Sequence, residues 1–261
     1  MKSAIIIFSK VPIPGLVKTR LVQDTCLTES EGALIAKAML KDTIILASET
    51  KADRIQIGFF PEECYDIMSS IVNTIRVEGN FDKKVELYHQ NGLNFDQRFA
   101  SVVKQSLDTN VDYLVVLGAD LPFLDPQIIN RALDDLVANI DNKPLIIGPS
   151  NGGGIYLVGI TKSFNPNWFV EHQLFNNGIE LSQFTLFCKK NEFKLIVLPP
   201  YGDIDIEEDL VTLISYINVL SIAKETDGFH FPYYTAKIID KLGIYIVEEQ
   251  DQTRKRKIAK K

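Results

Sequence analysis

The sequence predicts an α/β protein built on a mostly parallel sheet with helices on both faces. Three observations point there. Short apolar, β-branched runs, such as Ala4 to Phe8 ("AIIIF") and Tyr113 to Gly118 ("YLVVLG"), lack polar alternation, which is the pattern of strands buried on both sides. Stretches with helical caps lie between such runs, giving the order β-α-β-α-β-α-β-α over the first half of the chain. The chemically unusual residues follow the apolar runs directly, and open α/β sheets bind ligands beyond the carboxyl ends of their strands.

The first strand, Ala4 to Phe8, runs into the crowded loop "SKVPIPGLVKTRL". "TESE" (Thr28 to Glu31) is a capping box that opens a long helix through "GALIAKAMLKDTIILAS". Arg54 to Phe60 reads as a strand, and Pro61 starts a helix that runs to about Asn73. Lys84 to Gln90 is the next strand, and "NFDQRFASVVKQSL" the next helix. Tyr113 to Gly118 is followed by a helix with Asp125 as N-cap and Pro126 at its first position. In the second half, "PLIIGPS" and "GIYLVGI" are strands separated by "NGGG". A helix ("GIELSQFTLFCKKN"), a strand (Lys194 to Pro200) and a turn into a helix ("DIDIEEDLVTLISYINVL") follow, then one more helix and a strand, Gly243 to Val247. No repeat or linker divides the chain. Residues 1–250 therefore read as one domain, and residues 251–261, with "RKRKIAKK", as a basic disordered tail.

The chain of 261 residues is 46% hydrophobic and 24% charged, enough apolar material for a sizeable core. Its net charge of −6 argues against a general nucleic-acid binder. Cys26, Cys64 and Cys188 are odd in number and far apart, which suits free thiols in a reducing cytoplasm; Cys188 reads as part of a buried helix face. No apolar run approaches the ~20 residues that span a bilayer. The apolar start "MKSAIIIFSK" is too short for a signal peptide and lacks a cleavage site. The expectation is a cytoplasmic protein without a membrane span. An apolar face on the C-terminal strand would suit a homodimer.

Ser9, Lys10, Gly15, Lys18 and Arg20 follow the first strand. Glycine lets backbone N–H groups approach a ligand, and the cations would hold phosphate, although no GxxxxGK[ST] loop is present. The competing reading is an ordinary βα loop with solvated cations. Asp120 stands just past a central strand in "GADLP"; with Asp125 already the helix cap, it is free to ligate Mg²⁺, or Mn²⁺ in its place. Asp203 and Asp205 alternate and could reach the same metal, or Asp205 could cap the next helix with Glu208 at N3. Gly152, Gly153 and Gly154 allow either close backbone approach to a ligand or a tight hairpin. His89, His172 and His230 show no metal-ligand spacing, and no GxSxG elbow or Ser-His-Asp grouping is readable.

On these residues the chain resembles the nucleotide-diphospho-sugar transferase superfamily over about residues 1–215, which implies a Rossmann-like, GT-A-type nucleotidyltransferase fold. It is similar to the 2-phospho-L-lactate guanylyltransferases in "KTRL", "AKAMLKD", "GLN", "ADLPFLDP", "PSNGGG", "DIDIEEDL" and "AKIIDKLGIYIV". That resemblance implies Mg²⁺-dependent joining of GTP to 2-phospho-L-lactate or phosphoenolpyruvate, with release of pyrophosphate. Lys18 and Arg20 would hold the triphosphate, and Asp120 a metal with Asp203 or Asp205. Asn94 would contact the nucleotide, and Gly152 to Gly154 would border the small phosphorylated acceptor. "FSKVPIPGLVKTRL" and "YLVG" (Tyr156 to Gly159) also resemble a glycosyltransferase-like family encoded beside radical-SAM proteins, which implies a nucleotide-sugar donor. Where that family has LGER this chain has "FDQR", which leaves Arg98 as a candidate phosphate or substrate contact of the nucleotide site. This chain has Gly152 where many members of either family carry Asp, and Ile155-Tyr156 where the guanylyltransferases have Thr-Asn. A non-catalytic nucleotide-binding protein is the third reading.

Overall fold

The structure, a computed structural model, describes residues 2–175, 178–223, 229–248 and 256–261. β1 (Ser3–Lys10) leads through the short helix α1 (Thr19–Gln23) into the long helix α2 (Glu29–Ser48). The capping box forms: Thr28 Oγ1 accepts from Glu31 N, and Glu31 accepts from Thr28 N at 2.8 Å. β2 (Arg54–Phe60), α3 (Tyr65–Gly79), β3 (Val85–His89), α4 (Phe95–Leu107), β4 (Tyr113–Gly118) and α5 (Pro126–Ala138) complete the first half. Pro61 opens a 3₁₀ turn, Glu62–Cys64, and α3 runs six residues past Asn73, to Gly79, because Ile75 is buried there.

β5 (Pro144–Pro149) and β6 (Ile155–Thr161) are joined by the turn Asn151–Gly153. α6 (Asn167–Glu171), α7 (Glu180–Asn191), β7 (Lys194–Val197), α8 (Glu207–Ile222) and α9 (Tyr233–Lys241) follow. β7 ends at Val197, short of the predicted Pro200, where consecutive prolines Pro199 and Pro200 cannot donate to a ladder. The main sheet has the order β3-β2-β1-β4-β6-β5-β7. Only β6 runs against its neighbours, so the sheet is mostly parallel, as the alternation predicts.

The strand alternation sorts side chains to two cores. Ile5 and Ile7 face Ile44, Met68, Ile71 and Leu133, whereas Ala4 and Ile6 face Phe99, Val103, Phe169 and Phe184. Helices α2, α3 and α5 therefore cover one face of the sheet, and α4, α6 and α7 the other. Cys188 lies in the second core, and burial pushes its thiol up to about 11, which suits a structural role.

α2 is buried on two sides. Leu40 and Ile44 pack toward the sheet; Ile35 and Met39 pack into a third core with Leu210, Leu213, Ile239 and Ile258. That third core corrects the expectation of a disordered tail. Residues Arg256–Lys260 form a strand, β9, antiparallel to β8 (Ile244–Glu248). Ile258 is buried, Lys260 pairs with Glu31 and Arg256 with Glu248, so the basic run contributes an apolar anchor and ion pairs to the fold. Residues 251–255 lie outside the described residues. Ile244 and Ile246 of β8 are also spent in this core, so the apolar face invoked for a homodimer is covered by the chain itself.

Asp42 fixes the third core to α2. Its carboxylate, 1% exposed, accepts from Tyr234 N (2.9 Å), Thr235 N (2.8 Å) and Thr235 Oγ1 (2.6 Å), satisfying free donors in the first turn of α9. Burial nevertheless raises its pKa to about 6, against the lowering effect of those hydrogen bonds. The folded state thus holds the proton more tightly than the unfolded one, and stability present below about pH 4 is lost as pH rises through about 6. Asp42→Asn should remove this dependence. Urea unfolding is expected to show the wild type losing about 1–2 kcal/mol relative to the variant between pH 5 and pH 7.

Candidate active site

The carboxyl ends of β1 and β4 lie side by side at the centre of the sheet. The chain leaves β1 toward β2 on one side, and β4 lies on the other, which makes this the switch point where an open sheet leaves a crevice. A cleft of about 440 Å³ opens there. Its lining brings together Ser9 and Lys10 from the end of β1, Lys18 and Arg20 from the loop after it and α1, Arg98 from α4, and Asp120 and Asp205 from the loops after β4 and β7.

Lys18 is the centre of the cluster. It adopts a left-handed backbone (φ 52°, ψ 31°) just before α1, which turns its side chain inward. Gly32 of α2 makes room: a Cβ there would stand 2.7 Å from Val22 Cγ2 and 3.6 Å from Lys18 Cβ. The Lys18 side chain is only 4% exposed. Its Nζ donates to Asp120 Oδ1 and to the Ile204 carbonyl, and lies 3.6 Å from Asp205 Oδ1. An ammonium has three donors; two are used here, and Asp205 is an ion-pair partner just beyond hydrogen-bond distance. Asp120 and Asp205 remain 41% and 44% exposed, facing the cleft. Arg20 is 75% exposed, with Nη1 3.5 Å from Asp205 Oδ2.

Asp203 and Asp205 separate. Asp203 Oδ1 accepts from Ser150 Oγ, tying the strand-end loop to the glycine turn rather than reaching the cleft of Asp120. Asp205 does not cap α8. The cap position is Ile206, and Asp209 accepts from both Asp205 N and Ile206 N at 3.0 Å, in place of the expected Glu208. The helix starts one residue later than the motif suggests, and this frees the Asp205 carboxylate for Lys18 and Arg20.

Other candidates hold the loops. Gly15 is at φ +76°, a turn position beside Glu29. Ser9 Oγ donates to the Lys10 carbonyl at 2.8 Å. Asn94 is the N-cap of α4, its side chain accepting from Gln97 N at 2.9 Å, and it does not line the cleft. Arg98 stacks over Phe60 at 4.4 Å, and its buried Nε has no partner among the described residues. Gly152 and Gly153 have φ of +66° and +87°, and Gly154 is extended; together they close the β5–β6 hairpin. They lie away from the first cleft, whereas the neighbouring Asn151 lines a second one of about 420 Å³ with Phe123, Tyr201, Asp203, Tyr216 and Phe229. The Asp203–Asp205 segment divides the two clefts. Tyr156, part of the "YLVG" match, donates to the Pro199 carbonyl at 3.0 Å, and burial raises its pKa, so it is a packing residue.

Gln90 and Gly32 escaped the sequence reading. Gln90 is buried and donates to the Ser9 and Gly58 carbonyls at 3.0 and 2.7 Å, bracing the end of β1 on the cleft wall. A polar residue at a strand end was the available signal for Gln90. Gly32 has none, since its need is a tertiary contact.

A family described as an uncharacterized protein conserved in bacteria (DUF2064) matches residues 68–178, a stretch with Arg98, Asp120 and the glycine turn. No curated protein matches the chain. A protein from Desulfovibrio desulfuricans G20, provisionally assigned as a nucleotide-diphospho-sugar transferase, superposes with a TM-score of 0.72 at 22% identity, covering 92% of this chain and 95% of that one. The chain has the nucleotide-diphospho-sugar transferase fold. A cytidylyltransferase from Leptospira borgpetersenii serovar Hardjo-bovis gives a TM-score of 0.54 at 18% identity, over 92% and 94% of the two chains. The 4-diphosphocytidyl-2C-methyl-D-erythritol synthase of Anaerococcus prevotii gives 0.56 at 13% identity, over 83% and 96%. Among the described residues no helix is long and apolar enough to cross a membrane.

Asn94→Ala separates a cap from a ligand contact. It should cost about 1 kcal/mol in chemical denaturation, as loss of an N-cap does, and leave nucleotide affinity in calorimetry unchanged.

Proposed function

We propose that the protein is a divalent-cation-dependent nucleotidyltransferase whose nucleoside triphosphate lies in the cleft at the ends of β1 and β4. One observation carries the reading: Lys10, Lys18, Arg20 and Arg98 converge with two half-exposed carboxylates at the switch point of a transferase-type sheet. Cations in a concave site take up phosphate charge, and carboxylates there have no use for phosphate unless a metal stands between them.

The residues fit Mg²⁺, or Mn²⁺ in its place. Asp120 and Asp205 supply hard oxygen donors that share one cationic partner, the Lys18 ammonium, and such ions complete their shells with substrate phosphates and water. When bound, the cation supplies charge neutralisation at the phosphate oxygens. The chain's own groups do the rest. Arg20, exposed at the rim, and Lys10 meet the outer phosphates, and Arg98 meets an oxygen deeper along Phe8 and Phe95. An acceptor phosphate is already anionic at neutral pH, so no general base is needed, and rate comes from alignment and electrostatic stabilisation. The specific pair implied by the sequence is GTP with 2-phospho-L-lactate or phosphoenolpyruvate, releasing pyrophosphate.

Glycosyl transfer from a nucleotide-sugar is the second reading, and the second cleft favours it. Its lining joins aromatic faces (Phe123, Tyr201, Tyr216, Phe229) to Asn151, Asp203 and Asp209, with no Lys or Arg among the described residues. Such a wall suits an uncharged, hydroxyl-bearing ring better than a phosphorylated acid.

Purified protein with Mg²⁺, each of the four common nucleoside triphosphates and either acid should release pyrophosphate with one pair. Asp120→Ala is expected to lower that rate by about 100-fold or more. Release of a nucleoside diphosphate from a nucleotide-sugar, with no pyrophosphate from any pair, would replace the first reading by the second. Arg20→Ala should raise KM for the nucleotide about tenfold with a smaller change in kcat, because an exposed rim cation contributes mainly to binding.

A further inference from the structure

We infer that Lys18 is a tethered counter-ion which must leave the Asp120–Asp205 pair before a divalent cation can bind there. The inference rests on the proposal that these two carboxylates are the metal's protein ligands. Three observations carry it. The ammonium sits between the carboxylates, in contact with Asp120 Oδ1 and 3.6 Å from Asp205 Oδ1. It is nearly excluded from solvent and anchored by the Ile204 carbonyl, so it is not one of several mobile surface cations. Its backbone is left-handed at φ 52°, an uncommon conformation for a lysine, just where the chain turns into α1.

A divalent cation held by both carboxylates would need the place beside them that the Lys18 ammonium, paired with both, now occupies. Two cations cannot share it. Without either, Asp120 would lose its ion pair and Asp205 would keep only the exposed Arg20, so the lysine helps to hold the loops after β1, β4 and β7 together in the free protein. Once displaced, the flexible lysine side chain stays within the cleft it lines, where the phosphates of a nucleotide are its natural partners. Metal and nucleotide binding are then coupled: each favours the arrangement that the other needs.

The test measures Mn²⁺ alone, by electron paramagnetic resonance of the free ion, on the wild type, Lys18→Met, Lys18→Gln and Asp120→Asn, with circular dichroism to verify folding. Both Lys18 variants should bind Mn²⁺ at least about tenfold more tightly than the wild type. Asp120→Asn should lose protein-bound Mn²⁺, including that formed in the presence of GTP. Equal or weaker Mn²⁺ binding by both Lys18 variants overturns the inference while the metal reading stands, provided the wild type with GTP binds Mn²⁺ through Asp120. Absence of Asp120-dependent Mn²⁺ binding under every condition overturns both. Should the variants not fold, acetylation of Lys18 in the wild type, read by mass spectrometry, gives the answer. Saturating Mn²⁺ alone should raise labelling of Lys18 over the protein without metal; no change, with Mn²⁺ shown to bind, overturns the inference.

Discussion

The contact of one ammonium with two carboxylates and a carbonyl organises the functional end of the molecule. Lys18 arrives from the loop after β1, Asp120 from the end of β4, and Ile204 and Asp205 from the segment between β7 and α8. These pieces are far apart in the chain, and the sheet order brings their strands to one end. A backbone bond from Ile204 N to the Asp120 carbonyl, at 3.1 Å, locks two of the three segments together. The cluster is expensive to assemble, since each charge gives up water, and it is tolerated because every charge finds a partner and the cleft keeps the carboxylates half wet.

α2 connects that site to the C-terminal part of the chain. Its glycine admits the Lys18 loop, its N-terminal capping box holds Lys260 through Glu31, and its buried Asp42 receives α9. A helix with apolar residues on two sides has little amphipathic contrast, and its length lets it serve the sheet core and the third core together. Disturbing the C-terminal packing therefore reaches the cleft at the ends of β1 and β4 through one rigid element.

The sheet was legible because buried parallel strands announce themselves as β-branched runs and their helices carry local caps; Thr28 and Asp125 cap as their motifs predict. Much of the cleft was legible for the same reason: unusual residues after strand ends have only one place to go. What local reasoning could not see was which partner a polar side chain would choose. Asn94 and Asp203 carry the right chemistry for a site, yet one caps α4 and the other holds Ser150. The cap of α8 moved by one residue because Asp209 reaches back to two N–H groups. The basic tail misled because composition suggested solvation, while pairing with β8, the buried Ile258 and the Lys260–Glu31 pair dock its end. Gly32 was invisible since its reason is an approach between segments.

A crystal structure with Mn²⁺ and a non-hydrolysable nucleoside triphosphate would test the central claim most directly, because the anomalous signal locates the metal independently of the nucleotide. The account predicts Mn²⁺ on Asp120 and Asp205, the phosphates along Lys10, Arg20 and Arg98, and the Lys18 ammonium moved from the carboxylates to the phosphates. A nucleotide bound outside this cleft, or Lys18 still bridging Asp120 and Asp205 beside a bound nucleotide, would contradict it.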